Sequence, residues 1–213
     1  MKRIAFIIVG FAVLSAASFA HAGYAGFKGG VNYAGFTGED ADEFPYHRTG
    51  FTGGGFLAWD GGNHLGFRTD LLYTMKGATT GAVPASAEAD TFVTSLIKID
   101  YLELGTLLTA RFDVSKRFTV RGFVGPVLGL WVNAEADNGP LDVDIGDIVE
   151  HWEFSATIGG EIDMKAGPYV LLMEARYTQG SRVFESIGLN GEPLDFNVSN
   201  QGIGLMVGMM VPF

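Results

Sequence analysis

The residues of this chain that could do chemistry are few, and one candidate catalytic set is His151, Glu153 and Ser155. A serine nucleophile needs a histidine within hydrogen-bond reach and an acidic group to orient that histidine. The three residues alternate along a segment with the period of a β-strand, so they share one face at about 7 Å per step. Ser155 would then lie about 14 Å from His151. The spacing therefore predicts no catalytic residue and places these side chains on a wet inner face near a rim.

A second candidate is the pair of carboxylates at Glu161 and Asp163, which share that same face. Two neighbouring carboxylates can serve as an acid and a base, but they can equally be structural partners of arginines. Possible partners are Arg111, Arg121 and Arg176. We favour structural ion pairing over catalysis.

Neither a metal site nor a cofactor site is predicted. Residues 142–147 carry Asp142, Asp144 and Asp147 around a glycine, but they lack the third oxygen ligand and the closing glutamate of a calcium loop. The glycines at 53–55 lie in a strand pattern and do not precede a helix, so no phosphate cradle is indicated. The acidic loops suit weak, nonspecific cation binding, but we favour ordinary solvation of their side chains.

The amino-terminal segment has the features of a secretory signal peptide. Lys2 and Arg3 precede an apolar run over residues 4–19, and residues 20–22 form an A-x-A cleavage pattern. The run is too short for a membrane anchor. We expect a signal peptide at residues 1–22 and one mature domain at residues 23–213.

The composition indicates an ordered domain. Aromatic residues make up 13%, hydrophobic residues 47%, and the 213 residues include 31 glycines and no cysteine. The formal charge of −10 becomes about −12 without Lys2 and Arg3, which excludes the basic patch that a nucleic-acid partner requires. No later apolar run is long enough for a membrane helix, so a membrane protein of this composition must be a barrel.

The carboxyl-terminal segment, residues 201–213, alternates strictly. One face is large and apolar, and the other is rich in glycine, which predicts a strand. The segment resembles the terminal signal that the barrel-assembly machinery of the outer membrane recognises, and its residues here are Leu205, Val207, Met209, Val211 and Phe213. The last strand of a soluble sandwich is the alternative at this point.

Eight strands are predicted, at residues 23–36, 49–59, 64–76, 97–112, 118–133, 148–164, 169–179 and 201–213. Long loops at 37–48, 77–96, 134–147 and 180–199 alternate with short turns. In an up-and-down sheet this order places all long loops on one side, as in outer-membrane barrels. We predict an all-β, eight-stranded, antiparallel, up-and-down transmembrane β-barrel with both termini in the periplasm.

The predicted inner face mixes charges of both signs, which suits pairing in a narrow lumen. Its charged residues are Lys28, Arg68, Asp70, Glu103, Arg111, Arg121, Glu153, Glu161, Asp163, Glu174 and Arg176. The predicted outer face carries an aromatic girdle near the strand ends. Its members are Tyr33, Trp59, Tyr73, Phe112, Trp152, Tyr177 and Phe213.

Several segments together resemble the outer-membrane β-barrel family that includes PorT-like proteins and small OmpA/OmpX-type barrels. The most specific are L-x-Y-x-x-K-G at residues 71–77 and Y-L-E-L at residues 101–104, with Arg111 after it. Gly105 stands where that family usually has proline. The resemblance covers nearly the whole mature chain and implies an eight-stranded barrel. The resemblance implies a cellular location more than an activity, because most members of the family have no assigned activity. PorT itself is linked to secretion.

The sequence thus favours a monomeric, non-enzymatic barrel with a structural or interaction role through its extracellular loops. Its expected partners are outer-membrane lipid, the barrel-assembly machinery and an unknown extracellular or secretion partner. A small pore or secretion component is an alternative if inward glycines leave a water path, namely Gly30, Gly54, Gly202, Gly204 and Gly208. A soluble periplasmic barrel that binds a small apolar ligand is another, and it would need an apolar lumen.

Overall fold

The computed structural model describes residues 23–39, 41–61, 64–79, 83–84, 92–93, 96–137, 142–144, 151–183, 187–189, 192–194 and 198–213. The signal peptide predicted for residues 1–22 lies outside these ranges. Eight long strands dominate the described chain. Their bounds are β1 Gly23–Gly38, β2 Tyr46–Asp60, β3 Leu65–Thr79, β4 Leu96–Asp113, β5 Phe118–Asp137, β6 Trp152–Ala166, β7 Tyr169–Arg182 and β8 Val198–Pro212.

The eight strands form one closed barrel in which each strand pairs antiparallel with the next along the chain. The barrel closes between β1 and β8, where Tyr24 pairs with Pro212 and Gly38 pairs with Val198. Closure removes the open edge strands that an unclosed sheet would expose. The topology confirms the predicted eight-stranded, antiparallel, up-and-down barrel.

Short elements lie in the long connections between these strands. A 3-10 helix at Ala41–Glu43 follows β1, and Asp142–Asp144 pairs with the end of β5. Two pairs of short strands join Val83–Pro84 to Phe92–Val93 and Ile187–Leu189 to Glu192–Leu194. Among the described residues, no helix is long and apolar enough to cross a membrane.

Seven of the eight strands extend further toward the long loops than the sequence predicts, whereas β6, predicted from residue 148, begins at Trp152. The loop predicted for residues 37–48 is shorter, because β1 continues to Gly38 and β2 begins at Tyr46. Likewise β5 continues to Asp137, where the Lys98 ammonium of β4 pairs with the Asp137 carboxylate at 2.8 Å. Polar side chains marked these stretches as solvated, but a solvated backbone can still form ladder hydrogen bonds.

Pro126 lies inside β5, although its lack of an N–H group weakened the prediction of this strand. The structure accommodates it through a local interruption of pairing. The β4–β5 register passes from Val127 to Val124 without pairing Pro126, while on the other side Pro126 stands opposite Ala156 of β6. The ladder is therefore interrupted on one side of the proline only.

Side chains alternate between the outside and the lumen along each strand. On β6, Phe154 is 66% exposed while its neighbour Glu153 is 1% exposed. The same alternation places large apolar side chains on the outer surface of all eight strands. A wall with apolar residues outside and charges inside is the arrangement expected for a barrel surrounded by lipid.

Two apolar clusters lie inside the barrel, one toward each end. The cluster near the short turns consists of Phe56, Ala58, Val170, Leu172 and Met210. The cluster near the long loops consists of Phe36, Ala78, Ile97, Ile99, Tyr101, Ala134, Val183 and Val198. Phe44 of the first long loop packs against it, with its ring 5.1 Å from that of Phe36. In the strand pairing, Phe56 and Ala58 stand opposite Asp70 and Arg68, and Ile99 stands opposite Lys76, so apolar and charged side chains share the lumen.

Candidate functional site

Charged side chains share the lumen with the two apolar clusters. The group nearer the short turns is named the lower charge cluster and consists of Lys28, Arg68, Asp70, Glu161, Glu174 and Arg176. Each of these residues is 8% exposed or less. Charges this deeply buried require partners, because removing an ion from water costs several kcal/mol.

Lys28 links three strands of the barrel wall. Its ammonium, from β1, donates to the Asp70 carboxylate of β3 at 2.9 Å and to the Glu174 carboxylate of β7 at 2.7 Å. The Arg176 guanidinium also reaches Asp70, at 2.6 Å, and pairs with Glu174 on its own strand. Each carboxylate is therefore shared by at least two cations.

Arg68 is the most connected cation of the lower charge cluster. Its guanidinium contacts Asp70 through Nε at 2.9 Å, Glu161 through Nη1 at 2.7 Å and Glu174 through Nη2 at 2.9 Å. The planar fork of arginine suits several carboxylates at once. The guanidinium also lies 4.4 Å from the centre of the Phe123 ring, a cation–π contact.

A second group of charges lies at the rim near the short turns. Arg121 donates to Asp163 at 2.6 Å and to Asp60 at 2.5 Å. Arg111 also reaches Asp60, at 3.0 Å, and pairs with Asp113 at 2.7 Å. The Arg111 side chain is 31% exposed, so it lies at the rim and not in the lumen as predicted. Arg111 is exposed because it lies near the end of β4, where the barrel meets solvent.

The upper charge cluster, nearer the long loops, is built on Lys76. Its ammonium donates to Glu103 at 2.7 Å and to Glu153 at 2.5 Å. The Thr74 hydroxyl donates to Glu103 at 2.8 Å, and the Asn200 amide donates to Glu153. One ammonium thus holds two buried carboxylates, and neutral donors satisfy part of their remaining hydrogen-bonding capacity.

A small polar cavity separates the lower and upper charge clusters. Its polar lining comes from Asn32, Thr52, Thr74, Lys76, Glu103, Arg176, Thr178, Asn200 and Gln201. About 20 Å³ of it is open to the centre of a water molecule. That space holds about one water molecule and is far too small for an organic ligand. The geometry of this lumen suits a blocked barrel better than a channel for solutes or a ligand-binding site.

The family described as outer membrane protein beta-barrel domain matches residues 20–180 of the chain. The chain belongs to this family. Membership in this family places the protein, here called the outer-membrane barrel, in the outer membrane of a Gram-negative cell. No curated protein matches the chain in sequence.

Several solved structures resemble the outer-membrane barrel at low sequence identity. Neisserial surface protein A is 16% identical, with a TM-score of 0.49, over 90% of this chain and 99% of its own. The outer membrane protein OprG of Pseudomonas aeruginosa is 12% identical, with a TM-score of 0.46, over 91% and 97%. The attachment invasion locus protein Ail of Yersinia pestis is 12% identical, with a TM-score of 0.41, over 90% and 99%.

The candidate catalytic set does not assemble in the outer-membrane barrel. His151 is exposed at the start of β6, and its ring lies 5.3 Å from that of Trp131. The Ser155 hydroxyl donates to the Glu153 carboxylate at 3.1 Å. The carboxylate therefore engages the serine and Lys76, and no contact joins it to the histidine among the described residues.

The acidic segment that was compared with a calcium loop is only partly described. Asp142–Asp144 forms a short strand beside β5, and residues 145–147 lie outside the described ranges. Within the described part of the chain, no group of three or more histidine, aspartate or glutamate side chains is arranged to hold a metal ion.

Of the glycines that might have left a water path, Gly202 and Gly204 line the small polar cavity, which holds about one water molecule. A Cβ atom at Gly30, Gly54 or Gly208 would collide with the backbone of the neighbouring strand. At Gly202 it would meet the Asn32 side chain at 3.1 Å, and at Gly204 the Arg176 side chain at 3.2 Å. These glycines permit close approach of strands and side chains, so the condition for the pore alternative is not met at these positions.

The sequence prediction of charged site residues missed several members of the network. Lys76 has the strand period of its charged neighbours, so its face was predictable, although its importance was not. Asp60 lies at a predicted turn, yet it bonds Arg111 and Arg121. The predicted last strand begins at residue 201 and leaves out Asn200, whereas β8 begins at Val198 and includes it.

The outer surface carries most of the predicted aromatic girdle. Tyr33, Phe112 and Phe213 are 49%, 61% and 62% exposed. Trp59 is the exception, because it is 4% exposed and its ring lies 6.2 Å from that of Phe67. Its position in the strand pattern suggested the outside, but neighbouring side chains cover it.

Proposed function

We propose that this outer-membrane barrel is a closed, non-catalytic scaffold that presents its long acidic loops for interaction with a partner. The observation that carries this proposal is the filled lumen, which is occupied by two charge clusters and two apolar clusters. Opening a path would separate buried ion pairs, and breaking such a pair costs about 3 to 5 kcal/mol.

The loops support an interaction role through their charge. The segments at 39–45, 80–95, 138–150 and 184–197 contain aspartate and glutamate but no lysine or arginine. On a barrel of this kind the long loops face the cell exterior. A partner with a basic surface is therefore the chemistry that complements them.

The remaining parts of the proposal concern assembly. The protein acts as a monomer surrounded by outer-membrane lipid, and the barrel-assembly machinery recognises Leu205, Val207, Met209, Val211 and Phe213. These side chains lie on the outer side of β8, with Leu205 54% and Val207 61% exposed. The alternative function is a small pore or a secretion component. A role in secretion would follow from a closer relation to PorT-like barrels, which sequence resemblance alone supports.

The test compares purified wild-type protein with a variant in which residues 138–150 are replaced by a glycine–serine segment of equal length. Both are reconstituted into zwitterionic vesicles and checked for a boiling-dependent shift on gels. We expect both to fold and neither to admit sugars in a swelling assay. The variant, which lacks the four acidic residues of this loop, should bind the basic probe cytochrome c more weakly than the wild type. Sugar entry through the wild type would favour the pore alternative, and equal probe binding would contradict the loop role.

A further inference from the structure

The short-turn end of the barrel carries a cluster of exposed basic side chains, here named the basic turn patch. It consists of Lys116 and Arg117 on the turn between β4 and β5, and Lys165 at the end of β6. All three are exposed. The Lys165 amide donates to the Arg117 carbonyl at 2.9 Å, so the two turns are adjacent.

These three cations stand out from the other charges of the chain. Among the described residues, no carboxylate forms an ion pair with any of them, whereas Asp60 and Asp113 at the same end are engaged by Arg111. Described acidic residues of the long loops, namely Glu39, Asp42 and Asp144, lie at the opposite end. The barrel is therefore strongly polarised along its axis, with unpaired positive charge on the short-turn side.

The surroundings of the basic turn patch place it at a membrane surface. Val114 and Phe118 flank Lys116 and Arg117, and these two apolar side chains are 68% and 43% exposed. Next to Lys165, Met164 is 38% exposed. Large exposed apolar side chains at this position belong at the edge of the hydrocarbon layer. Lysine and arginine beside them extend their charged ends to the level of the lipid headgroups.

We propose that the basic turn patch binds the headgroups of anionic glycerophospholipids in the periplasmic leaflet. The partner is a lipid because the cations are interleaved with apolar side chains and sit on turns too short to extend into the periplasm. The carboxylates of peptidoglycan would also attract these cations, but they would not require the apolar neighbours. Attraction to an anionic surface is about fivefold for each basic side chain before screening by salt.

The experiment measures lipid selectivity at the barrel surface. The mature protein is reconstituted into phosphatidylcholine vesicles that contain spin-labelled phosphatidylglycerol or spin-labelled phosphatidylcholine, and electron paramagnetic resonance gives their relative association. We expect the wild type to favour phosphatidylglycerol at least about threefold in low salt, with a smaller preference in 1 M salt. The variant Lys116→Gln/Arg117→Gln/Lys165→Gln should lose most of this preference.

A charge-conserving variant, Lys116→Arg/Arg117→Lys/Lys165→Arg, is the matched control and should keep the preference. A boiling-dependent gel shift verifies that each variant is folded. The proposal is overturned if the wild type shows no preference or if the glutamine variant retains it. It is also overturned if purified peptidoglycan sacculi bind the wild type but not the glutamine variant while lipid selectivity is absent.

Discussion

The Arg68 guanidinium donates a hydrogen bond of 2.7 Å to the Glu161 carboxylate, although the two residues are 93 positions apart in the chain. Arg68 lies on β3 and Glu161 on β6, which are not neighbours in the wall of the barrel. The contact therefore crosses the lumen. It joins strands on different sides of the lumen and so crosses the path that a pore along the barrel axis would need.

Replacing Arg68 should destabilise the barrel strongly. In Arg68→Leu, the carboxylates of Asp70, Glu161 and Glu174 lose a shared cation while remaining buried. We expect the free energy of unfolding to fall by about 3 to 5 kcal/mol. Urea titration of protein folded in phosphatidylcholine vesicles, followed by the boiling-dependent gel shift, measures this change.

Two comparisons make that result specific to the ion pair. Arg117→Leu removes an exposed arginine and should change stability by less than about 0.5 kcal/mol in the same zwitterionic lipid. Arg68→Leu/Glu161→Leu should recover part of the loss, because it removes a buried carboxylate together with its partner. Equal losses in Arg68→Leu and Arg117→Leu would show that the lumen pairing is unimportant.

The upper charge cluster should respond unequally to changes at its cation and at its anions. Lys76→Gln leaves the Glu103 and Glu153 carboxylates buried without an ammonium, and we expect a loss of about 3 kcal/mol. Glu103→Gln leaves a one-to-one pair of Lys76 and Glu153 and should cost less than about 1.5 kcal/mol. The same vesicle titration compares them, and a larger loss for Glu103→Gln would refute this description of the cluster.

The wall should tolerate an added methyl group at some glycines and reject it at others. At Gly30, a Cβ atom would collide with the Leu205 carbonyl and the Met206 backbone, so Gly30→Ala should lower stability by about 3 kcal/mol or prevent folding. At Gly122, nothing lies within 4 Å of that position, and Gly122→Ala should be nearly neutral. The heat-shifted fraction after refolding distinguishes them, and similar yields would contradict the packing argument.

The terminal phenylalanine should matter for assembly in the cell more than for the folded barrel. Phe213 is 62% exposed, so Phe213→Ser removes little packing, yet it alters the predicted assembly signal. We expect several-fold less protein in the outer membrane, with unchanged refolding of purified protein. Phe112→Ser, at an aromatic residue 61% exposed near the same end, should have no such effect in cells. Equal losses in both variants would rule out a specific signal.

Much of the barrel wall was predictable from the sequence, because the strand period sorts residues onto two faces before any partner is known. Glu153 and Phe154 show this, since adjacent residues differ from 1% to 66% in exposure. The number of strands followed from the same period and from the alternation of long and short connections. Strand ends were less predictable, because polar residues near a loop can still pair, as Lys98 and Asp137 do.

The network inside the barrel was only partly predictable. Arg121, one of the predicted partners, pairs with Asp163 at 2.6 Å and with Glu161 at 3.6 Å, but the shortest ion pair of Glu161 is with Arg68, which was not predicted. Which charges meet across a lumen depends on barrel closure and strand register, and neither can be derived from the period of one strand. The predicted exposure of Trp59 is wrong for a similar reason. The side chains that bury it belong to neighbouring strands, which the pattern of its own strand cannot reveal.

The most direct test of the closed lumen is single-channel recording of the purified, heat-modifiable protein in planar phosphatidylcholine bilayers. We expect the wild type to insert without conductance steps, and Lys76→Ala/Glu103→Ala/Glu153→Ala to insert without them as well, because the lower charge cluster still fills the lumen. Regular, reproducible steps from the wild type would contradict the account, because a lumen filled by paired charges and apolar side chains leaves ions no path.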